Sequence, residues 1–262
     1  FGIMVPRRRR LLRLARLTDY GSLTILGRIW TLSNMVLIPD FPEPYTLSEG
    51  NLHIPKLYRR KVKFIGPILP TYPNDLPSTE KLRRKMSVKP KQKLIFAPIS
   101  GPVKEKAYLI RILKDLFSRF PAKYKIIMST GNPHYRQRIY KKGNLAIYGW
   151  IDNRFDYLKA CDVVVARSGH ETIMQSICYG KPTILIPTPS HTEQLVNAKK
   201  AHDLGFSVVL EQDKITLDTL LESVEYALSD KIRRRAEEFS LQTSEYDGVK
   251  TALSEIYSII AE

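Results

Sequence analysis

The stretch from Ala166 to Pro182, Ala-Arg-Ser-Gly-His-Glu-Thr-Ile-Met-Gln-Ser-Ile-Cys-Tyr-Gly-Lys-Pro, holds the residue types best arranged for chemistry. An apolar run ends at Ala166, a tight Ser168-Gly169 turn follows, and a helix then runs until Gly180 and Pro182 stop it. Ser168 and Glu171 stand at the spacing of a capping box. This predicts a helix start that presents the backbone N–H groups of His170, Glu171 and Thr172 together with the Thr172 hydroxyl. Aligned peptide dipoles place roughly half a positive charge at such a start. A diphosphate is held well there, and better still as it gains charge on leaving a reacting carbon. That chemistry needs no metal. The same spacing also serves simply to cap a helix.

What favours the chemical reading is the company this helix keeps. Beyond the next apolar run lies Pro187-Thr-Pro-Ser-His-Thr-Glu-Gln194, which supplies His191, Glu193 and Gln194, with Asn197 one turn further on. The segment Gly149-Trp-Ile-Asp152 sets backbone donors and acceptors beside bulky apolar groups, as a planar base requires. Pro98-Ile-Ser-Gly101 places Ser100 and Gly101 where backbone can approach a phosphate. Loops that follow adjacent strands of an open α/β sheet meet at its carboxyl edge, so these four loops are expected to face one cavity.

The elements needed to hold them are legible. Strand-like runs recur at Met35–Ile38, Leu94–Pro98, Lys125–Ser129, Leu145–Tyr148, Asp162–Ala166, Thr183–Pro187 and Ser207–Leu210, with helical patterns between them. That alternation predicts βαβ units and a doubly wound parallel sheet, and the unbroken apolar runs at 162–166 and 183–187 predict strands covered on both faces. Helical periodicity marks Thr216–Leu228 and a closing helix through Val249, Leu253, Ile256 and Ile260, both expected to pack on the sheet or on another domain. Prolines 67, 70, 73 and 77 and the charged residues that follow predict a linker at 69–90. Residues 1–68 are then the tail of one domain, ending on a strand at Val62–Gly66, and residues 91–262 form a second.

From about Leu94 to Val209 the chain resembles the C-terminal domain of glycosyltransferase family 28. The resemblance rests on Gly149-Trp-Ile-Asp-Asn153, on Ala160-Cys-Asp-Val-Val-Val-Ala-Arg-Ser-Gly169, on Thr172 with Gly180-Lys-Pro182, and on Glu193-Gln194 with Asn197-Ala198. It implies an α/β fold of the GT-B type: a Rossmann-like C-terminal domain plus an incomplete N-terminal Rossmann-like portion. It also implies inverting transfer of a hexose or N-acetylhexosamine from a UDP-sugar to a lipid-linked or glycan acceptor. By the same resemblance Ile151 meets the base through its backbone, while Ser168, Gly169, His170, Glu171 and Thr172 surround the diphosphate. Glu193 and Gln194 contact the donor sugar, and Asn197 supports that corner. Gln175 stands where the family commonly has a glutamate for the ribose hydroxyls. The family's acceptor loops and catalytic base lie earlier than any segment matched here, so no base is assigned.

Composition bounds the alternatives. The 262 residues are 43% hydrophobic and 10% aromatic, as in a folded globular protein, and no run approaches the ~20 apolar residues of a spanning helix. Forty-two Lys and Arg against 26 Asp and Glu give a net charge of +16, which favours anionic partners. Arg7–Arg10, Arg13 and Arg16 alternate with leucines, a pattern that suits either an anionic membrane surface or a solvated cationic helix end. The basic clusters lack interleaved aromatic platforms, so no nucleic-acid partner is expected. Cys161 and Cys178 have no Cys-x-x-Cys spacing and no secretory signal precedes them, which predicts a cytoplasmic protein, peripheral on the inner face of the membrane. No histidine pair has the spacing of a helical metal site, and neither metal nor cofactor is expected. The chain opens on Phe1, as a piece of a longer protein does. Two other functions fit the same residues: a sugar-nucleotide-binding subunit that acts only with a partner chain or a missing N-terminal domain, and a GT-B UDP-sugar 2-epimerase, which needs paired carboxylates such as Glu171 and Glu193.

Overall fold

A computed structural model describes residues 32–49, 54 and 56–261. In chain order the elements are β1 (Val36–Ile38), β2 (Val62–Phe64), α1 (Thr79–Lys85), β3 (Lys93–Pro98), α2 (Val103–Phe117), β4 (Tyr124–Ser129), β5 (Arg138–Lys142), β6 (Leu145–Tyr148), α3 (Arg154–Ala160), β7 (Val163–Ala166), α4 (His170–Cys178), β8 (Thr183–Leu185), α5 (Thr192–Asp203), β9 (Ser207–Val209), α6 (Leu217–Ala227), α7 (Asp230–Thr243) and α8 (Gly248–Ala261). The arginine-rich segment lies outside the described residues.

Seven strands form one sheet in the order β5-β6-β4-β3-β7-β8-β9, parallel except where β5 runs against β6. From β3 the chain winds outward to β4 and β6, then returns to β7 on the other side, so the winding reverses between β3 and β7. The apolar run Val163-Val-Val-Ala166 is buried along its whole length because helices cover both of its faces. On one face Leu109, Leu113 and Phe117 of α2 and Leu220 and Val224 of α6 pack on Ile95, Ile126 and Val165. On the other, Leu82 of α1 and Leu158 of α3 pack on Leu94, Phe96 and Val164, while α4, α5 and α7 share a neighbouring cluster around Ile173, Ala201 and Phe239. Each such side chain stabilises the fold by about 1.5–3 kcal/mol when fully buried.

The segment expected as a linker carries a helix docked on the larger sheet. Ser78 starts α1 by accepting from Lys81 N, and Arg83 then fastens it, donating to the Ala160 and Gln92 carbonyls and to Asp162 Oδ2 at 2.8 Å. Asp162 in turn accepts from Leu94 N at 2.7 Å, so one ion pair binds α1 to the starts of β3 and β7. β1 and β2 form a separate two-stranded parallel sheet. Between them Phe41 and Leu47 enter the cluster of α4, α5 and α7, with the Phe41 ring edge-on to Phe239 at 6.1 Å, so contacts cross the boundary expected at residue 68.

β5 is a strand that the pattern did not show, because Arg138-Ile-Tyr-Lys-Lys142 is too charged to stand out as one. Among the described residues the sheet does not cover the apolar stripe of the closing helix: Leu253 is 49% exposed and Ile260 73%.

Candidate functional site

Where β3 and β7 part, the sheet opens into a cleft enclosing about 610 Å³ including its mouth. Phe96 and Val164 form its floor. Pro98, Ile99 and Ser100 reach it after β3, Ser129 and Gly131 after β4, Trp150 and Ile151 after β6, and Thr172, Gln175 and Ser176 from α4. A reversal of winding creates this crevice, because the loops on its two sides diverge in opposite directions. Four residues proposed from the sequence therefore line one cavity: Ser100, Ile151, Thr172 and Gln175. Gly101 follows them at the exposed end of the β3 loop, with φ +114°.

The start of α4 differs from the capping box. Its N-cap is Gly169, which has no side chain, and Ser168 Oγ instead donates to the Gln194 carbonyl at 2.7 Å. Glu171 turns away from the cap as well: its Oε1 accepts from Gln175 Nε2 at 2.7 Å and from Arg154 at 3.2 Å. The first helical bond runs from Ile173 N to the Gly169 carbonyl. The N–H groups of His170, Glu171 and Thr172 are thus the uncommitted donors of this end. With no side chain capping them, they stay available to an anion, and the Thr172 hydroxyl takes no partner among the described residues.

Two buried cations stand behind these loops, and neither forms an ion pair among the described residues. Arg167, 5% exposed, donates to the Ile186 carbonyl at 3.0 Å, the Glu105 carbonyl at 3.2 Å and Gln212 Oε1 at 2.6 Å. Burial pulls its pKa down to about 10, which still leaves it charged at neutral pH. Lys106 donates to the Gly131 carbonyl at 2.8 Å, and burial lowers its pKa too. A Cβ on Gly131, where φ is +63°, would stand 2.7 Å from the Ile99 carbonyl oxygen, so only glycine lets the β4 loop close on the β3 loop here. Both cations raise the positive potential at the carboxyl edge of the sheet.

His170 is engaged from an unexpected quarter. Its Nε2 stands 3.1 Å from Asp40 Oδ2. Asp40 is fully buried and accepts from the N–H groups of Phe41, Leu47 and Ser48 and from Ser48 Oγ. Burial pushes its pKa up, but His170 and Ser48 outweigh that and hold the carboxyl below its usual range.

The second polar corner joins the first through Ser168 and lies outside the cleft lining. Asn197, fully buried, donates to the Ser168 carbonyl at 3.3 Å, and Gln194 Oε1 accepts from Thr188 N at 2.8 Å. His191 caps α5, its Nδ1 accepting from Gln194 N at 3.4 Å. The Glu193 carboxylate takes no hydrogen bond or ion pair from another described residue. Gln194 and Asn197 therefore brace the loops through the contacts seen here. Sequence reasoning missed Ser129, Gly131, Arg154 and Arg167 at this edge. Ser129-Thr-Gly131 directly after an apolar strand was the signal available for the first two, and Arg167 lay in plain view inside the Ala166–Pro182 motif.

The match to known families agrees with this geometry: the model of the glycosyltransferase family 28 C-terminal domain covers residues 103–252. The chain belongs to glycosyltransferase family 28. It is 26% identical to an uncharacterised glycosyltransferase of Methanopyrus kandleri over 226 residues, 83% of this chain and 61% of that one. A UDP-N-acetylglucosamine–N-acetylmuramyl-(pentapeptide) pyrophosphoryl-undecaprenol N-acetylglucosamine transferase of Bacillus licheniformis is 29% identical over 177 residues, 64% of this chain and 47% of that one. The calicheamicin glycosyltransferase shares the GT-B fold, with a TM-score of 0.63 at 15% identity over 87% of this chain and 54% of its own. The chain thus spans about 60% of the length of the curated relatives first matched. Among the described residues no helix is long and apolar enough to cross a membrane.

Proposed function

We propose that this family 28 chain is the donor half of an inverting glycosyltransferase that takes its sugar from a UDP-sugar. The observation that carries the reading is the cleft at the β3–β7 reversal, where Thr172 and the uncapped N–H groups of α4 meet Ser100 and Ile151. The base fits between Trp150 and Ile151, where backbone can meet its edge, and the diphosphate lies against the α4 start. As the sugar–phosphate bond breaks, negative charge grows on the departing diphosphate. Fixed N–H donors, the helix dipole and the nearby Lys106 and Arg167 stabilise that charge more than they stabilise the bound donor, and so lower the barrier. Gln175 and Glu171, bonded to each other, present one amide and one carboxylate towards the ribose hydroxyls, and Glu193 addresses the sugar.

The acceptor is lipid-linked in this reading, as the basic segment at 7–16 and the undecaprenol-linked acceptor of the Bacillus relative suggest. The base that deprotonates it comes from the acceptor domain, either an N-terminal part of the same protein or a partner chain. The exposed apolar face of α8 favours such a covering element. The epimerase reading loses support because Glu171, one of its two carboxylates, is tied to Arg154 and Gln175. Titration of the chain with UDP- and GDP-sugars tests the proposal: UDP-sugar binding that weakens about tenfold in Thr172→Ala supports it, a lost hydrogen bond to a charged group being worth about 1.5 kcal/mol. Absence of binding by either nucleotide sugar overturns the donor site.

A further inference from the structure

In a doubly wound sheet the crossover between two parallel neighbours is usually a helix, which covers one face. Between β4 and β6 that crossover is the strand β5, so no described helix covers the face of β4 and β6 beyond α3. The result is a groove of about 1540 Å³ including its mouth, distinct from the donor cleft, with Ile127 and Ala146 among its lining. Five cations also line it: Lys85 and Lys89 beside α1, Lys125 on β4, and Arg138 and Lys141 on β5. No carboxylate lines it. Lys85 alone of the five has an ion-pair partner among the described residues, Asp156 at 3.4 Å. Lys125 donates to the Ser87 carbonyl at 2.9 Å, and burial together with the charge of Lys141 lowers its pKa, as expected of like charges with no counter-ion between them.

The outer rim of the groove is the edge strand of the sheet, and it is not purely cationic. Ile139 is 50% exposed between Arg138 and the lysines, and Tyr135 is 56% exposed beside Arg136. Exposed apolar side chains set among unpaired cations on an outer edge match a surface of anionic headgroups over acyl chains. A single-stranded nucleic acid would need several free aromatic faces in a row. Here the Tyr157 ring is stacked on Phe96, and the Tyr140 ring lies under the Lys114 ammonium at 4.3 Å.

We propose that the basic groove between β4 and β5, with the apolar tip of β5, binds the anionic lipid headgroups of a membrane surface. This contact is separate from the arginine run at 7–16 and does not depend on the donor reading. The test is vesicle flotation of the full chain with phosphatidylcholine alone and with added phosphatidylglycerol. Arg138→Ala with Lys141→Ala, two exposed positions whose loss leaves the fold intact, is expected to weaken partition onto phosphatidylglycerol vesicles about 25-fold, since each cation near such a surface is worth about 1 kcal/mol. Lys125→Ala is expected to add about fivefold, and Ile139→Ser a further loss that added salt does not mimic. Retained partition in the Arg138→Ala, Lys141→Ala chain, with loss only when Arg8 and Arg9 are replaced, overturns the proposal. So does a result in which the same pair weakens binding of inorganic pyrophosphate or a single-stranded oligonucleotide in solution but leaves vesicle binding unchanged.

Discussion

Thr172 and Gln175 stand three residues apart on α4 and line the same cleft, yet they differ in how firmly each is held. Gln175 is buried and bonded to Glu171, whereas the Thr172 hydroxyl is uncommitted. Thr172→Val, which keeps the shape and removes the hydroxyl, is expected to weaken nucleotide-sugar affinity while leaving the unfolding free energy within about 1 kcal/mol of the parent, as calorimetry will read. Arg167 acts differently: Arg167→Met strands Gln212 and the Ile186 carbonyl in the interior, and urea unfolding is expected to show a loss of about 2–4 kcal/mol. Asp40 carries the pH dependence. Its carboxyl is depressed in the folded state, so its contribution is full above the ordinary carboxylate pKa and fades as pH falls through the lower folded value. Asp40→Asn should therefore be less stable than the parent at pH 7, and the gap in melting temperature should close below about pH 4. An unchanged gap at low pH would show that the loss came from packing alone. At this scale the sequence revealed residue types more readily than partners. Ser168 and Glu171 have the spacing of a capping box, but the Gln194 carbonyl and Asn197 reach Ser168 from 26 and 29 residues away, a long-range competition that no local pattern contains.

At the scale of elements, punctuation was the reliable signal. Helix α4 ends where Gly180 predicts, with φ +62° and its N–H bonded to the Ile177 carbonyl, while Lys181 N reaches the Ser176 carbonyl. Helix α6 begins on Thr216, whose hydroxyl accepts from Thr219 N at 3.2 Å, and Thr216→Ala is expected to cost about 1 kcal/mol in thermal unfolding. The buried strands were legible because helices on both faces demand unbroken apolar runs. β5 was not, since an edge strand with one partner needs few apolar residues, and α1 was hidden by the prolines that precede it. Both missed elements border the second groove: α1 and β5 supply three of its five cations.

Across the whole molecule, charge and apolar surface are both left over. The described chain keeps its donor-type cleft at the β3–β7 reversal, while α8 shows a row of exposed apolar side chains next to the small β1–β2 sheet. If an acceptor domain covers that row, Leu253→Glu with Ile260→Glu changes the stability of the chain by no more than about 0.5 kcal/mol yet abolishes association with a separately produced acceptor domain. A loss of several kcal/mol would show that the row is already packed. The alternation of strands and helices, and the meeting of the β3, β6 and β7 loops at one sheet edge, could be argued from the runs and their punctuation. The exposure of α8 could not, because its periodicity states only that one face is apolar and not whether anything covers it.

The most direct test of the donor site is calorimetric titration of the chain with a UDP-sugar, repeated with Thr172→Ala and with Gly131→Val, which drives a side chain into the Ile99 carbonyl. Saturable binding by the parent, weakened about tenfold by the first change and lost with the second, is the expected result. Equal affinity in all three chains would place the nucleotide elsewhere and contradict the account.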